Sequence, residues 1–322
     1  MNKAPSTTAI AGALCALLLV IATPASSAEL CYTDALDGKG RFYEGPSASI
    51  VYDGMYKKTN VRLRHLDDSI PQGAATWSNW DGDDDLLLFT AYRGGNDAYV
   101  MGIDPKTGKH VGTAEIKSFH AGGIAVFEKL GWAYVSGVRR NGQDTVAHFS
   151  LDKLKQAIKK NAFIEAETET AVLVASSFLT SHGPTNTLWV GAFSDDSLGV
   201  MEAYKVRADG ELDPVGELWE VPKKTQGLVV TKDLFIFSTS LGNDNRSNIY
   251  VVRRGKGEQK LSRNRLYCFR APSMAEGMTR YGDDVFLIFE SAAAHYVEKK
   301  PRNVIASAHK VTLKALDTLV PG

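Results

Sequence analysis

Apolar positions along the chain repeat one short pattern five times. A polar residue or glycine is followed by glycine, a short strand, a tight turn and a longer apolar strand. The copies read QGAATWSNWDGDDDLLLFTAY from Gln72, GGIAVFEKLGWAYVSG from Gly122 and HGPTNTLWVGAF from His182. They continue as QGLVVTKDLFIFSTS from Gln226 and EGMTRYGDDVFLIFES from Glu276. Aligning Gly73, Gly123, Gly183, Gly227 and Gly277 gives spacings of 50, 60, 44 and 50 residues, close to the length of a four-stranded propeller blade. The strand after each turn is apolar on both faces, as LLLFTAY and LFIFSTS show, which predicts burial on both sides.

A third strand follows in every copy, and outer fourth strands follow in four: HVGTAEIK, TAVLVAS, ELWEVPK and LYCFRAP. The fifth copy has no fourth strand before the chain ends. The stretch NVRLRHLDDSIPQG ahead of the first copy has the layout of LYCFRAPSMAEG and predicts the missing strand, around Val61 to Leu66. The expected fold class is therefore all-β: a single five-bladed β-propeller over residues 61–322, closed by an N-terminal outer strand. Six blades are the alternative if residues 32–60 add strands; otherwise residues 29–60 form an irregular arm. The segment Asp152 to Ala162 has helical spacing and a basic face, and is expected to be a solvated insertion.

The N-terminus changes the expected compartment. Lys3, the apolar run Ala9 to Ala22 and the small residues Pro24 to Ala28 form a secretory signal pattern over residues 1–28, so a secreted, extracellular bacterial protein is expected. The apolar run falls short of the roughly 20 residues that span a bilayer, and no transmembrane segment is expected. Two cysteines follow, Cys31 and Cys268, and in an oxidising compartment they are expected to form a disulfide. Lys plus Arg and Asp plus Glu each number 37, so the basic footprint of a nucleic-acid binder is missing. The expected state is a monomer.

In a propeller, the loops entering each innermost strand and leaving each second strand share one face around the central channel, where ligands bind. The strand starts are Gln72, His120, His182, Gln226 and Glu276; the second-strand exits include Tyr92, Arg93, Asp195, Ser240, Asn243 and Glu290. Glu276 and Glu290 flank one hairpin, and two nearby carboxylates could hold a hard cation such as calcium or divide acid and base roles. They are the candidate catalytic residues, with Glu276 the candidate metal ligand. His120 and His182 lack a third ligand at zinc-like spacing. The acidic run Asp81 to Asp85 departs from the EF-hand order and reads as a surface turn on the opposite face.

The copy EGMTRYGDDVFLIFES from Glu276 resembles blades of secreted bacterial propellers and, more loosely, the gluconolactonase and strictosidine-synthase-like group. That resemblance implies a divalent cation, often calcium, at the channel mouth with Glu276 among its ligands. The remaining strand starts hold Gln72, Gly122, His182 and Gln226, where that group places Asn and Asp. The leading expectation is a binding propeller for a small molecule, glycan or protein at its channel face. The alternatives are a calcium-assisted hydrolase of lactonase type and a structural cell-surface scaffold.

Overall fold

The computed structural model describes residues 31–139, 141–255 and 259–321; the expected signal peptide lies outside them. A short helix, α1 (Ile50–Met55), precedes the first strand, β1 (Lys57–Arg62). The first blade is β2 (Ile70–Asp81), β3 (Asp84–Gly94), β4 (Asp97–Ile103) and β5 (His110–Lys117). The second is β6 (Ile124–Phe127), β7 (Trp132–Ser136), β8 (Thr145–Ser150) and β9 (Thr168–Ala171). The third is β10 (Phe178–His182), β11 (Thr187–Gly191), β12 (Gly199–Val206) and β13 (Leu212–Val221), and the fourth is β14 (Thr225–Val230), β15 (Leu234–Thr239), β16 (Ser247–Arg253) and β17 (Leu266–Ala271). The fifth combines β18 (Ala275–Tyr281), β19 (Asp284–Phe289) and β20 (Ser307–Thr312) with β1. This is a five-bladed β-propeller of antiparallel four-stranded blades.

Closure follows the expected route but starts earlier. β1 pairs β20 through Lys57 opposite Lys310 and Arg62 opposite Ser307, so the closing strand begins at Lys57 and not at Val61. Pairing the two ends of the chain in one sheet leaves no unclosed edge in the ring. The second strands are buried as their composition requires: every residue of β11 and β15 is buried.

Glycine explains how the innermost strands fit around the axis. A Cβ on Gly73 would lie 2.7 Å from the Gly123 Cα, and one on Gly227 2.6 Å from the Glu276 carbonyl oxygen. One on Gly277 would lie 2.5 Å from the Gln72 carbonyl oxygen. Backbone meets backbone at each place, so a side chain has nowhere to go. The third copy departs from this. A Cβ on Gly123 would meet the Leu179 nitrogen at 2.3 Å, whereas Gly183 has open space around its Cβ position. Leu179 therefore occupies the glycine position in the third blade, and the spacings become 50, 56, 48 and 50. Gly183 instead opens a 3-10 turn between β10 and β11, at the other end of the blade.

Two expectations about the periphery change. The segment expected as a solvated insertion is helix α2 (Leu151–Lys160), which buries Leu151, Leu154, Ala157 and Ile158 in the core between the first two blades. Its basic face is engaged too, with Lys155 and Lys159 pairing Asp81 of the acidic turn at 2.9 and 2.7 Å. The N-terminal arm is ordered in part. Cys31 bonds Cys268 in β17, and the Tyr32 amide donates to the Cys268 carbonyl at 2.7 Å. Tyr52 and Tyr56 stack with ring centres 4.2 Å apart in the core of the fourth and fifth blades. A disulfide closing so long a loop contributes typically about 2–4 kcal/mol. Among the described residues no helix is long and apolar enough to cross a membrane.

The glycine contacts generate a direct test. Gly227→Ala is expected to destabilise by about 1–3 kcal/mol through overpacking against fixed backbone, while Gly183→Ala leaves stability within about 0.5 kcal/mol. Urea denaturation of both variants checks this; equal effects would mean that Gly183, not Leu179, holds the axial position.

Candidate functional site at the channel mouth

The same backbone irregularity recurs where three innermost strands begin. Strand pairing slips between Pro71 and Ala74 in β2, between Thr225 and Gly227 in β14, and between Ala275 and Met278 in β18. Such a bulge re-aims the side chain it carries. Gln72, Gln226 and Glu276 are the residues so placed, each next to its close-packed glycine. The hydroxyl of Ser238 in β15 fixes the backbone further by donating to the Glu276 carbonyl at 2.5 Å. Thr90 in β3 does the equivalent in the first blade, accepting from the Gly73 amide and donating to the Ala121 carbonyl.

This machinery brings Glu276 and Glu290 together. Glu276 is buried, and its Oε1 has no hydrogen-bond partner. Burial, reinforced by the neighbouring Glu290 charge, pushes its carboxyl well above the usual range. The Glu290 carboxyl is pushed up to about 7, because burial outweighs hydrogen bonds from Gln72 and Tyr296. Gln72 Nε2 donates to Glu290 Oε1 at 2.6 Å. Both carboxyls are thus pushed above the ordinary range, and the pair holds protons toward neutral pH.

Glu290 opens onto a cavity of about 540 Å3 shared with Gln72, Tyr92, Arg93 and His120. The far wall is the segment after β19, including Tyr296 of helix α3 (Ala294–Val297), together with Asp67, Asp68 and Glu298. The His120 imidazole lies 5.1 Å from the Tyr92 ring, and burial depresses its pKa. Arg93 lies over the Tyr99 ring at 4.6 Å, with Asp68 and Glu115 at 3.6 and 3.8 Å. The wall is therefore rich in acceptors and aromatic faces, and its guanidinium is already partnered.

The other expected residues are dispersed. Gln226 and His120 share a neighbouring cavity of about 330 Å3. Asp195 pairs with Lys224 at 3.3 Å, and the Asn243 carbonyl accepts the Arg302 amide at 3.0 Å. His182 is a correction: it ends β10 instead of starting it, and its Nδ1 lies 2.7 Å from the Thr185 hydroxyl, on the face opposite the channel mouth. Its glycine-turn context mimicked the repeat. Tyr296 was not anticipated. The signal that could have found it is the connection from Glu290 to Ala306, far longer than an ordinary hairpin loop.

The donor set fits calcium poorly. Calcium takes six to eight oxygens, and among the described residues no cluster of three or more His, Cys, Asp or Glu could hold a metal ion. Asp67, Asp68 and Glu298 line the same cavity but do not join Glu276 and Glu290 in such a cluster, and the Gln72 amide turns its NH2 toward Glu290.

No protein-family model matches the chain, and no curated protein matches its sequence. Among solved structures it is similar to the tail fiber of Staphylococcus aureus phage P68, at 12% identity and a TM-score of 0.51, covering 82% of this chain and 54% of that one. The β-propeller domain of Myceliophteria thermophila Cps50 (Swd1) aligns at 12% identity and a TM-score of 0.38, covering 74% of this chain and 66% of that one. A Bacteroides uniformis protein provisionally assigned as a 6-phosphogluconolactonase aligns at 11% identity and 0.34, covering 70% and 62%. The likeness to the tail fiber is one of fold alone.

The pair makes stability depend on pH. A carboxyl whose folded pKa of about 7 exceeds its ordinary 4.5 binds more protons folded than unfolded, so stability falls as pH rises between those values. Glu290→Gln is expected to flatten that part of the profile, and chemical denaturation from pH 4 to pH 8 measures it. An unchanged slope would show that Glu290 titrates as an exposed carboxylate.

Proposed function

We propose that the protein is a secreted binding propeller whose channel-mouth cavity takes a small molecule rich in hydrogen-bond donors, a sugar unit or an amine, with Glu290 as the central acceptor. One observation carries the reading: the Glu290 carboxyl, backed by buried Glu276, opens onto a cavity lined by further acceptors and aromatic rings. Donors on the ligand would meet the carboxylates of Glu290, Asp67, Asp68 and Glu298 on the wall, and Tyr92 and Tyr296 offer faces on which a ring or cation can rest. The disulfide and the N-terminal signal pattern support a place outside the cytoplasm.

A second reading has a specific observation in its favour. A carboxyl titrating at about 7 beside a second carboxyl held well above the ordinary range is suited to general acid–base work, so hydrolysis by the pair without a metal is the alternative function. The calcium-assisted lactonase finds no support in the donor set.

Calorimetric titration of the mature chain with a panel of monosaccharides and small amines, and with calcium, tests the proposal. Binding of at least one panel member is expected to strengthen as pH rises through about 7 and to weaken roughly tenfold in Glu290→Gln. His182→Ala is expected to leave it unchanged. If no panel member binds, or Glu290→Gln binds as tightly as the native chain, the proposal fails. Turnover of a lactone or ester lost in Glu290→Gln would favour the hydrolase instead.

A further inference from the structure

A second cavity, of about 600 Å3, lies beside the fourth blade and has the opposite chemistry. Its wall carries Arg246, Arg270 and Arg302, with Lys223 and Lys224 also on it, against a single carboxylate, Asp244. The three arginines come from different parts of the fold. Arg246 enters β16, Arg270 lies in β17, and Arg302 belongs to the long connection after β19.

Two of these guanidinium groups are held by hydrogen bonds, and among the described residues none of the three is paired with a carboxylate. Arg246 Nη2 donates to the Ser47 carbonyl at 3.1 Å, and Arg270 Nη1 to Asn248 Oδ1 at 2.8 Å. The Nε atoms of Arg246 and Arg302 are buried without any hydrogen-bond partner. Among the described residues none of the three forms an ion pair with a carboxylate. In the arm, Asp53 accepts the Ser47 hydroxyl at Oδ2 while its Oδ1 is buried without a partner, and it forms no ion pair with any of the three arginines. The Arg246 guanidinium is destabilised by burial and by the charges of Arg302 and Arg270.

The backbone around Arg302 is anchored from two sides. Its amide donates to the Asn243 carbonyl, and the next residue, Asn303, donates to the carbonyls of Glu44 and Pro46 at 3.1 and 3.0 Å. The arm can approach this closely because Gly45, at φ +96°, would place a Cβ 2.3 Å from the Arg302 carbonyl oxygen. Three half-buried cations converging on one cavity, with Asp244 on its wall but no carboxylate paired to any of them, are costly unless an anion joins them. Arginine forks suit the planar or tetrahedral oxygens of such a group.

We propose that this cavity binds an oxyanion, a phosphate, sulfate or carboxylate group, clamped by Arg246, Arg270 and Arg302. The site is separate from the Glu276–Glu290 cavity and does not rest on the function proposed for it. The test is calorimetric titration of the mature chain with sodium phosphate, sodium sulfate and sodium acetate, with sodium chloride at matched ionic strength as reference. At least one oxyanion is expected to bind saturably at one site, and acetate against the tetrahedral ions distinguishes the carboxylate from the phosphate or sulfate source. Arg302→Gln and, separately, Arg270→Gln are expected to weaken that binding tenfold or more, roughly the loss of one charge-assisted bond. Both are expected to unfold at the native temperature or above it without anion, because a like charge has been removed; a purely structural arginine would lower it. Glu290→Gln should leave the response intact. Oxyanion responses no larger than chloride up to about 10 mM, or equal affinity in the native chain and both variants, would overturn the proposal.

Discussion

The contact on which the molecule depends is the approach of one innermost strand to the next with no side chain between them. Gly73 lies against Gly123, Gly227 against the backbone of Glu276, and Gly277 against the backbone of Gln72. Each contact joins neighbouring blades, so the ring is held at the axis by backbone rather than by a filled core. The same contacts place the bulges that carry Gln72, on the wall of the channel-mouth cavity, and Glu276, buried behind it. Fold and site thus share one cause: what lets five blades meet also fixes where the carboxyl pair sits.

That cause was legible in the sequence wherever side-chain loss carried it. Four glycines preceded by a distinctive residue, each followed by a buried strand, are hard to hide, and the outer strand HVGTAEIK matches β5 closely. The third blade was misread because it solves the problem differently. Leu179 stands in the axial position, and Phe178 lies where a Cβ on Gly191 would meet its ring at 2.0 Å. The sequence HGPT offered a glycine that belongs to a turn. The connection from Glu290 to Ala306 was silent because it has no period of its own; its place is set by contacts such as the Ala294 amide donating to the Leu66 carbonyl at 2.6 Å.

The N-terminal arm gives the structure its asymmetry. It reaches β17 through Cys31 and Tyr32, caps α1 with the Ser49 hydroxyl, and feeds Tyr52 into contact with His309 at 2.8 Å. Burial depresses the His309 pKa to about 3, so that imidazole is a neutral core group. The arm and the long connection together turn a symmetric ring into one with two different cavities on one face, one lined by acceptors and one by arginines. A carboxyl pair alone in a propeller channel is a weak sign of function. A pair whose Glu290 opens onto a cavity lined by further acceptors says more, because burying two carboxyls together costs stability that a ligand's donors can restore.

The central claim is that the ring buries Glu276 and Glu290 as a coupled pair. Carboxyl carbon NMR titration of the native chain, assigned with Glu290→Gln, addresses it directly. The pair is predicted to titrate in coupled steps, both above the ordinary glutamate range, with Glu290 at about 7. Two independent midpoints near the ordinary 4.5 of a glutamate would contradict the account.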